Sequence, residues 1–510
     1  MVFGFGKKNA RAIQQQATKR YVAADGEPEQ LGLGDVISQE LGGVPTQPEP
    51  LNKDLVSQDL EGTQAVNALP LKMDKEGEDP FIDEDGVRRS GNTLTAFFHV
   101  ITAVIGAGVL FLPYAMASMG WILGVISFII FAAITLYSSQ LLADLYIIDG
   151  KRQRTYTDMV DTVFGLWGRV AIAIFQQFNL VLTALAYTIT ASQACVTLAN
   201  SYCSSHGVAD GNCFNTYWQW VIIFSALQLL MSQVPNLEAF WWASAVGAAM
   251  SFGYSSIILI LSWVYFDTHG TAGPMDMGSA VDTMWNVFNG LGAVLFAYSF
   301  SMILLEIQDT IRTRKGSITG PIIRMKRAVN WSVSIMTAYY CLIAIFGYLA
   351  EGNGVQPWVL DSFPEAPVWV IDLANSMVLV HMIPAYQVWS QPHFEWMDFN
   401  MERLFDKSKL LHGWVFRLWY RTIYVVFVGF LACLCPWFGV IVGVVGALGF
   451  WPATVFFPIE CWIRVFKPKR AQRYFMYTLD LFCLIVTILA LAGSVQLLVV
   501  SAKDFKPFSS

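Results

Sequence analysis

Two glycines flank one alanine at Gly106-Ala107-Gly108, inside the apolar run "AVIGAGVLFLPYAM" (Ala103 to Met116), and Pro113 follows five residues after Gly108. About twenty apolar residues cross a bilayer without help from glycine, so the pair must serve another purpose. At membrane depth, non-helical backbone persists only where protein surrounds it or a cavity receives it. An unwound Gly-x-Gly stretch leaves N–H groups free to hold an anion, and the start of the following half-helix adds its positive dipole end. A carboxylate is the natural guest. The competing reading is close helix–helix contact through small residues. The stretch is no nucleotide loop, because "GAGVLF" lacks the third glycine.

A second stretch strengthens the cavity reading. Secondary transporters are often built from two inverted repeats, each with a broken helix in the matching position. With spans one to five and six to ten as the repeats, span six is the counterpart of span one. It reads "VFNGLGAVLFAYSFSMILLE", with Gly290 and Gly292 in its outer half and Ala297-Tyr298-Ser299-Phe300-Ser301 in its middle. Those residues are small and polar where Leu or Ile is the ordinary choice. Two broken helices would meet near the midplane, span one supplying the carboxylate end of a ligand site and span six a polar and aromatic wall.

The rest of the chain must position these stretches. It has 510 residues, 55% hydrophobic and only 14% charged, against about 25% charged in soluble domains. The sequence predicts an all-α integral membrane protein with eleven spans, over about 94–118, 121–145, 168–198, 218–233, 241–266, 284–306, 328–350, 367–390, 414–436, 438–458 and 477–500; ten and twelve are the alternative counts. Span eleven lies outside the repeat. Residues 1–90 are polar, with 10 Lys+Arg and 16 Asp+Glu, and read as a disordered acidic tail; 91–510 form the membrane domain.

With the N-terminus in the cytosol, the inward segments carry twenty Lys and Arg and the outward loops between spans none, as the positive-inside rule asks. An odd count places the C-terminus outside. Cys203 and Cys213 share one outward loop, where a disulfide is favoured over two free thiols. Ionisable residues inside spans are functional candidates: His99, Asp144, Glu306, Asp372 and His381, with Glu460 and Asp480 closer to structural roles near inner ends. None lies among strong positive partners such as a mid-span Lys or Arg. Acids and histidines without a fixed buried cation suit a protonatable path. There is no His-Glu-x-x-His and no Gly-x-Ser-x-Gly, which disfavours an enzyme; no metal site and no nucleic-acid partner is expected.

The chain resembles the plant amino acid permeases of the amino acid/auxin permease family over about residues 80–510. The stretches that carry the resemblance include "DEDGVRRSGNTLTAFFHVITAVIGAGVLFLPYAMASMGW", "NLVLTALAYTITAS", "SQVPNLEAF", "FAYSFSMILLEIQDT" and "IDLANSMVLVHMIPAYQVWSQP". The resemblance implies a leucine-transporter-like fold working as a proton-coupled amino acid symporter. It implies an unwound segment Ile105-Gly106-Ala107-Gly108-Val109, with Asn179 and Tyr187 of span three beside the site and Phe296, Ala297, Tyr298, Ser299 and Phe300 opposite. Ala107 stands where the family commonly has Ser, and Leu112-Pro113-Tyr114 departs from its usual small residue and Trp. The expected guests are an amino acid and a co-transported proton, with no cofactor. The plasma membrane is the expected location, and the tail is a candidate for regulatory partners. An auxin-type or vacuolar carrier, a sodium-coupled carrier, and an amino acid sensor that does not transport, are the alternatives.

Overall fold

The computed structural model describes residues 89–208, 212–233, 241–265, 275, 277–312, 319–404, 414–503 and 505. The tail expected over 1–90 therefore lies outside the described residues except for Arg89 and Ser90, and the end of that range needs correction. Arg89 is 2% exposed and fixed by hydrogen bonds, so the ordered domain begins no later than this residue.

The chain is helical almost throughout. Helix α1 (Thr93–Val104) starts at a capping box: Asn92 accepts from the amides of Leu94 and Thr95, and Thr95 accepts from the Asn92 amide. A 3-10 segment, Ala107–Phe111, follows and runs straight into α2 (Leu112–Asp144). Pro113 sits in the first turn of α2, where its missing N–H goes unnoticed. Gly120 (φ 70°) turns the chain between the first two spans, a conformation that a side chain disfavours.

A two-residue hairpin follows, β1 (Ile147–Ile148) with β2 (Lys151–Arg152), and then a short helix α3 (Tyr156–Phe164). Next come α4 (Leu166–Ser205), α5 (Tyr217–Met231), α6 (Trp241–Val264), α7 (Ala280–Ala297) and α8 (Leu304–Asp309). They are followed by α9 (Gly320–Glu351), α10 (Val368–Leu404), α11 (Trp414–Leu434) and α12 (Phe438–Gly449). A π-helical turn at Phe450–Phe456 leads into α13 (Phe457–Phe466), and α14 (Arg470–Ala502) closes the described chain.

Among the described residues, nine helical stretches are long and apolar enough to cross a membrane; the first, Thr93–Asp144, includes the turn at Gly120, and α5 is a shorter apolar helix. Their burial ranks them. The most apolar stretch of Ala280–Asp309 is buried throughout, against 28% for Arg470–Ala502. The second broken helix is thus central and the last helix peripheral.

Helix α12 presents glycines at 439, 443, 446 and 449 along one face. A Cβ at Gly439 would run into Phe111, at Gly443 into Asn289, at Gly446 into the Gly292 carbonyl, and at Gly449 into Asn179. Small residues let these backbones approach in lipid, where association depends on close contact. At the other end of the molecule, Cys203 and Cys213 form a disulfide with Cα atoms 5.9 Å apart. The remaining six cysteines are free, four of them buried.

Candidate functional site

The helical ladder of α1 ends in a specific way. The Ile105 amide still reaches back to the Ile101 carbonyl at 2.8 Å, but the Gly106 amide turns to Val104 at 2.9 Å. The 3-10 segment then starts at Ala107, and its first bond runs from the Val109 amide to the Gly106 carbonyl at 3.3 Å. Among the described residues, the amides of Ala107 and Gly108 meet no acceptor. They are the donors that the Gly-x-Gly stretch was expected to free. Ile105 to Val109 are all buried.

The carbonyls here behave differently from the amides. The Ala103 carbonyl accepts from the Tyr187 hydroxyl and the Trp389 indole, both at 3.2 Å. The Val104 carbonyl accepts from Tyr340 at 2.5 Å, and Tyr254 donates to Gly106 at 3.1 Å and Ile105 at 3.3 Å. Phenol and indole donors of the protein itself thus take these span-one carbonyls.

The second break lies against the first. Helix α7 ends at Ala297, the amides of Tyr298 and Ser299 fold back to Leu295 and Phe296, and a 3-10 turn Ser301–Ile303 leads into α8. A Cβ on Gly108 would sit 3.1 Å from the Phe296 ring and 3.6 Å from the Ala297 Cα. The Tyr298 and Tyr340 rings meet edge to face, with centroids 5.7 Å apart. The hydroxyls of Ser299 and Ser301 are buried without a partner among the described residues. Phe300 is fully buried. Gly290 and Gly292 lie in intact helix, so they do not make the break; Gly292 is small because the Gly443 backbone presses against it.

Asn179 donates from its amide to the Val445 carbonyl of α12 at 3.0 Å. Tyr187 is at the site through Ala103. The five ionisable candidates are dispersed. His99 shares a bond with the Ser244 hydroxyl at 3.0 Å, and His381 donates from Nδ1 to the Gly247 carbonyl at 2.8 Å. Asp372 accepts from Ser201 at 2.6 Å, well away towards the disulfide end. Glu306, on α8, accepts at Oε1 from the Tyr156 amide (3.2 Å) and Gln176 (3.3 Å), while Oε2 has no partner among the described residues. Asp144 is ion-paired with Lys326 at 2.6 Å. That corrects the expectation of acids without a positive partner: α9 starts at Gly320, so Lys326 rides on the helix and reaches Asp144. Asp480 accepts from Trp451, and Glu460 pairs with Arg464 one turn on.

A tie joins the two broken helices at one end. Arg89 donates to the Asp309 carbonyl at 2.7 Å and to both of its carboxylate oxygens at 3.1 Å. Gly91 and Thr310–Arg312 exchange backbone bonds beside it, and Tyr146 donates to Asp309 at 2.7 Å. Burial, and then the adjacent Asp309 carboxylate, push the Tyr146 hydroxyl up, so it stays a donor.

Sequence reasoning missed Tyr254, Tyr340 and Trp389. The available signal was a phenol or indole at mid-span, which needs an acceptor when buried.

No cluster of His, Cys, Asp and Glu able to hold a metal occurs among the described residues. Solved structures similar to this chain include MhsT in complex with L-phenylalanine, at 13% identity and TM-score 0.54, covering 82% of this chain and all of that one. This likeness speaks to fold alone, which is that of leucine-transporter-like membrane carriers. Amino acid permease 2 of Arabidopsis thaliana is 35% identical, over 84% of this chain and 92% of that protein. Amino acid permease 3 of the same plant is 36% identical, over 87% of this chain and 98% of the relative. The matched relatives are named permeases, transporters and not enzymes. Residues 89–500 match the family described as transmembrane amino acid transporter protein, and with the permeases alike over most of its length, the chain belongs to that family and to its plant amino acid permease group.

Proposed function

We propose that this protein is a proton-coupled amino acid symporter of the plasma membrane, working by alternating access, with its N-terminus in the cytosol and its C-terminus outside. The observation that carries the reading is the direct contact of the two breaks, with free amides on one side and unpartnered hydroxyls on the other. The substrate carboxylate takes the amides of Ala107 and Gly108, at the positive end of the helical run that continues through α2. The ammonium turns to the second break, where α7 ends with its negative pole at Ala297 and Ser299 lies within the same buried space. The side chain faces Tyr187, Phe296 and Phe300.

Glu306 is the proposed proton carrier. It lies on the half-helix that follows the second break, and its free oxygen gives a proton a place to sit. His99, His381, Asp372 and Asp144 hold supporting positions; Asp144 is already matched by a lysine. One proton moving through 100 mV contributes about 2.3 kcal/mol, enough to drive accumulation about fiftyfold.

Inward current in voltage-clamped cells, over a panel of amino acids at acid and neutral external pH, with and without sodium, tests the proposal. Current that grows on acidification is expected. Silence at every pH, with the protein at the surface, would turn the reading towards a sensor, an auxin-type carrier or an internal membrane.

A further inference from the structure

At a broken helix, free backbone carbonyls are the usual ligands of a coupling cation. A carbonyl oxygen has two acceptor sites. In this chain three consecutive-region carbonyls of the first break have both sites filled. Ala103 accepts from Tyr187 and Trp389, each at 3.2 Å. Val104 accepts from Tyr340 at 2.5 Å and from the Gly106 amide at 2.9 Å. Gly106 accepts from Tyr254 at 3.1 Å and from the Val109 amide at 3.3 Å. The fourth carbonyl, Ile105, shares the Tyr254 hydroxyl.

The donors come from four different helices: Tyr187 on α4, Tyr254 on α6, Tyr340 on α9 and Trp389 on α10. Each is at most 2% exposed. Every one is neutral, and every one presents a hydrogen where a cation would present its charge. Together they satisfy the negative end of α1, which is otherwise costly to leave bare away from water.

We propose that this cage of aromatic donors stands in for a coupling cation at the first break, holding α1 to its four neighbours so that the protein binds no sodium ion there. Tyr254, Tyr340 and Trp389 are positioning residues: they fix the carbonyls, and through them the direction of the Ala107 and Gly108 amides. The consequence for transport, a cycle indifferent to sodium, rests on the carrier reading above; the cage itself does not.

The test uses the full chain in nanodiscs, with hydrogen exchange read over residues 93–106 in sodium chloride and in choline chloride of equal strength. Wild-type exchange is expected to be the same in both salts. Tyr340→Phe, which keeps the ring, should raise exchange over this stretch about tenfold, as expected for one lost buried bond, while α5 beyond the disulfide is unchanged. Trp389→Ser removes the indole donor and leaves an oxygen, and exchange in that variant should become slower in sodium than in choline. A general loosening would not distinguish the two salts. Sodium protection of the wild-type stretch, an unchanged Tyr340→Phe, or a Trp389→Ser indifferent to sodium would each overturn the proposal. In cells, wild-type uptake should survive replacement of sodium by choline; a tenfold fall would overturn it too. No uptake in either salt would sink the carrier reading, and the exchange measurements would still decide on the cage.

Discussion

The two breaks face each other and are built on opposite plans. The first is made by glycine, and each of its carbonyls from Ala103 to Gly106 accepts a hydrogen bond while two of its amides meet no acceptor among the described residues. The second contains no glycine: Ala297-Tyr298-Ser299-Phe300-Ser301 leaves the helix with side-chain hydroxyls unpartnered. One break therefore offers rigid backbone donors, and the other offers side chains that can rotate. A ligand with a fixed carboxylate and a variable remainder suits such a pair. The common group meets the invariant backbone, and discrimination falls to residues that substitution can alter.

This contrast can be broken first at Gly108. A side chain there meets the Phe296 ring at 3.1 Å before it has grown past Cβ. Gly108→Leu should lower uptake about 100-fold or more through overpacking at the junction, with surface biotinylation unchanged. Next in size is the tie that joins the ends of both broken helices. Arg89 is almost fully buried, and Asp309→Ala would remove the carboxylate it pairs with while the bond to the backbone carbonyl at 309 stays. Thermal unfolding of the purified protein should show a loss of about 3 kcal/mol, the lower end for a broken buried pair.

The second break should answer with mixed signs. Ser301→Ala and Ser299→Ala remove buried hydroxyls that bond nothing among the described residues. The ligand-free protein should melt at the same temperature or higher, while KM for the substrate rises about threefold to tenfold, the worth of one hydrogen bond. A fall in melting temperature with an unchanged KM would erase the distinction between the breaks. The smallest effect is expected outside both. Asp144→Asn loosens the bond to Lys326 but should change the acid-stimulated current less than about twofold, since Lys326 is partly exposed and the pair lies apart from both breaks.

Legibility followed the same division. Gly106 and Gly108 stood out because glycine is anomalous within a first apolar span, and the helix does end there. Gly290 and Gly292 looked equivalent and are not. In lipid a glycine can open a helix or admit a neighbour's backbone, and Gly443, about 150 residues away in the chain, decides which. The aromatic donors were hidden for a related reason. Tyr254, Tyr340 and Trp389 sit in apolar helices with no local partner pattern, and their acceptors belong to α1. Lys326 read as a loop charge because apolarity alone starts its span at 328, whereas Pro321 begins the helix a turn and more earlier. Burial of the central helix and exposure of the last were legible in outline, the one from its small and polar middle, the other from its place outside the repeat.

The central claim is that the free amides of the first break hold a substrate carboxylate. Voltage-clamped cells expressing the chain can compare amino acids with the corresponding primary amines, which keep the side chain and the ammonium and lack only the carboxylate. The account predicts acid-stimulated inward current with the amino acids and none with the amines. Equal currents with both would contradict it, because the Ala107 and Gly108 amides would then have nothing to hold.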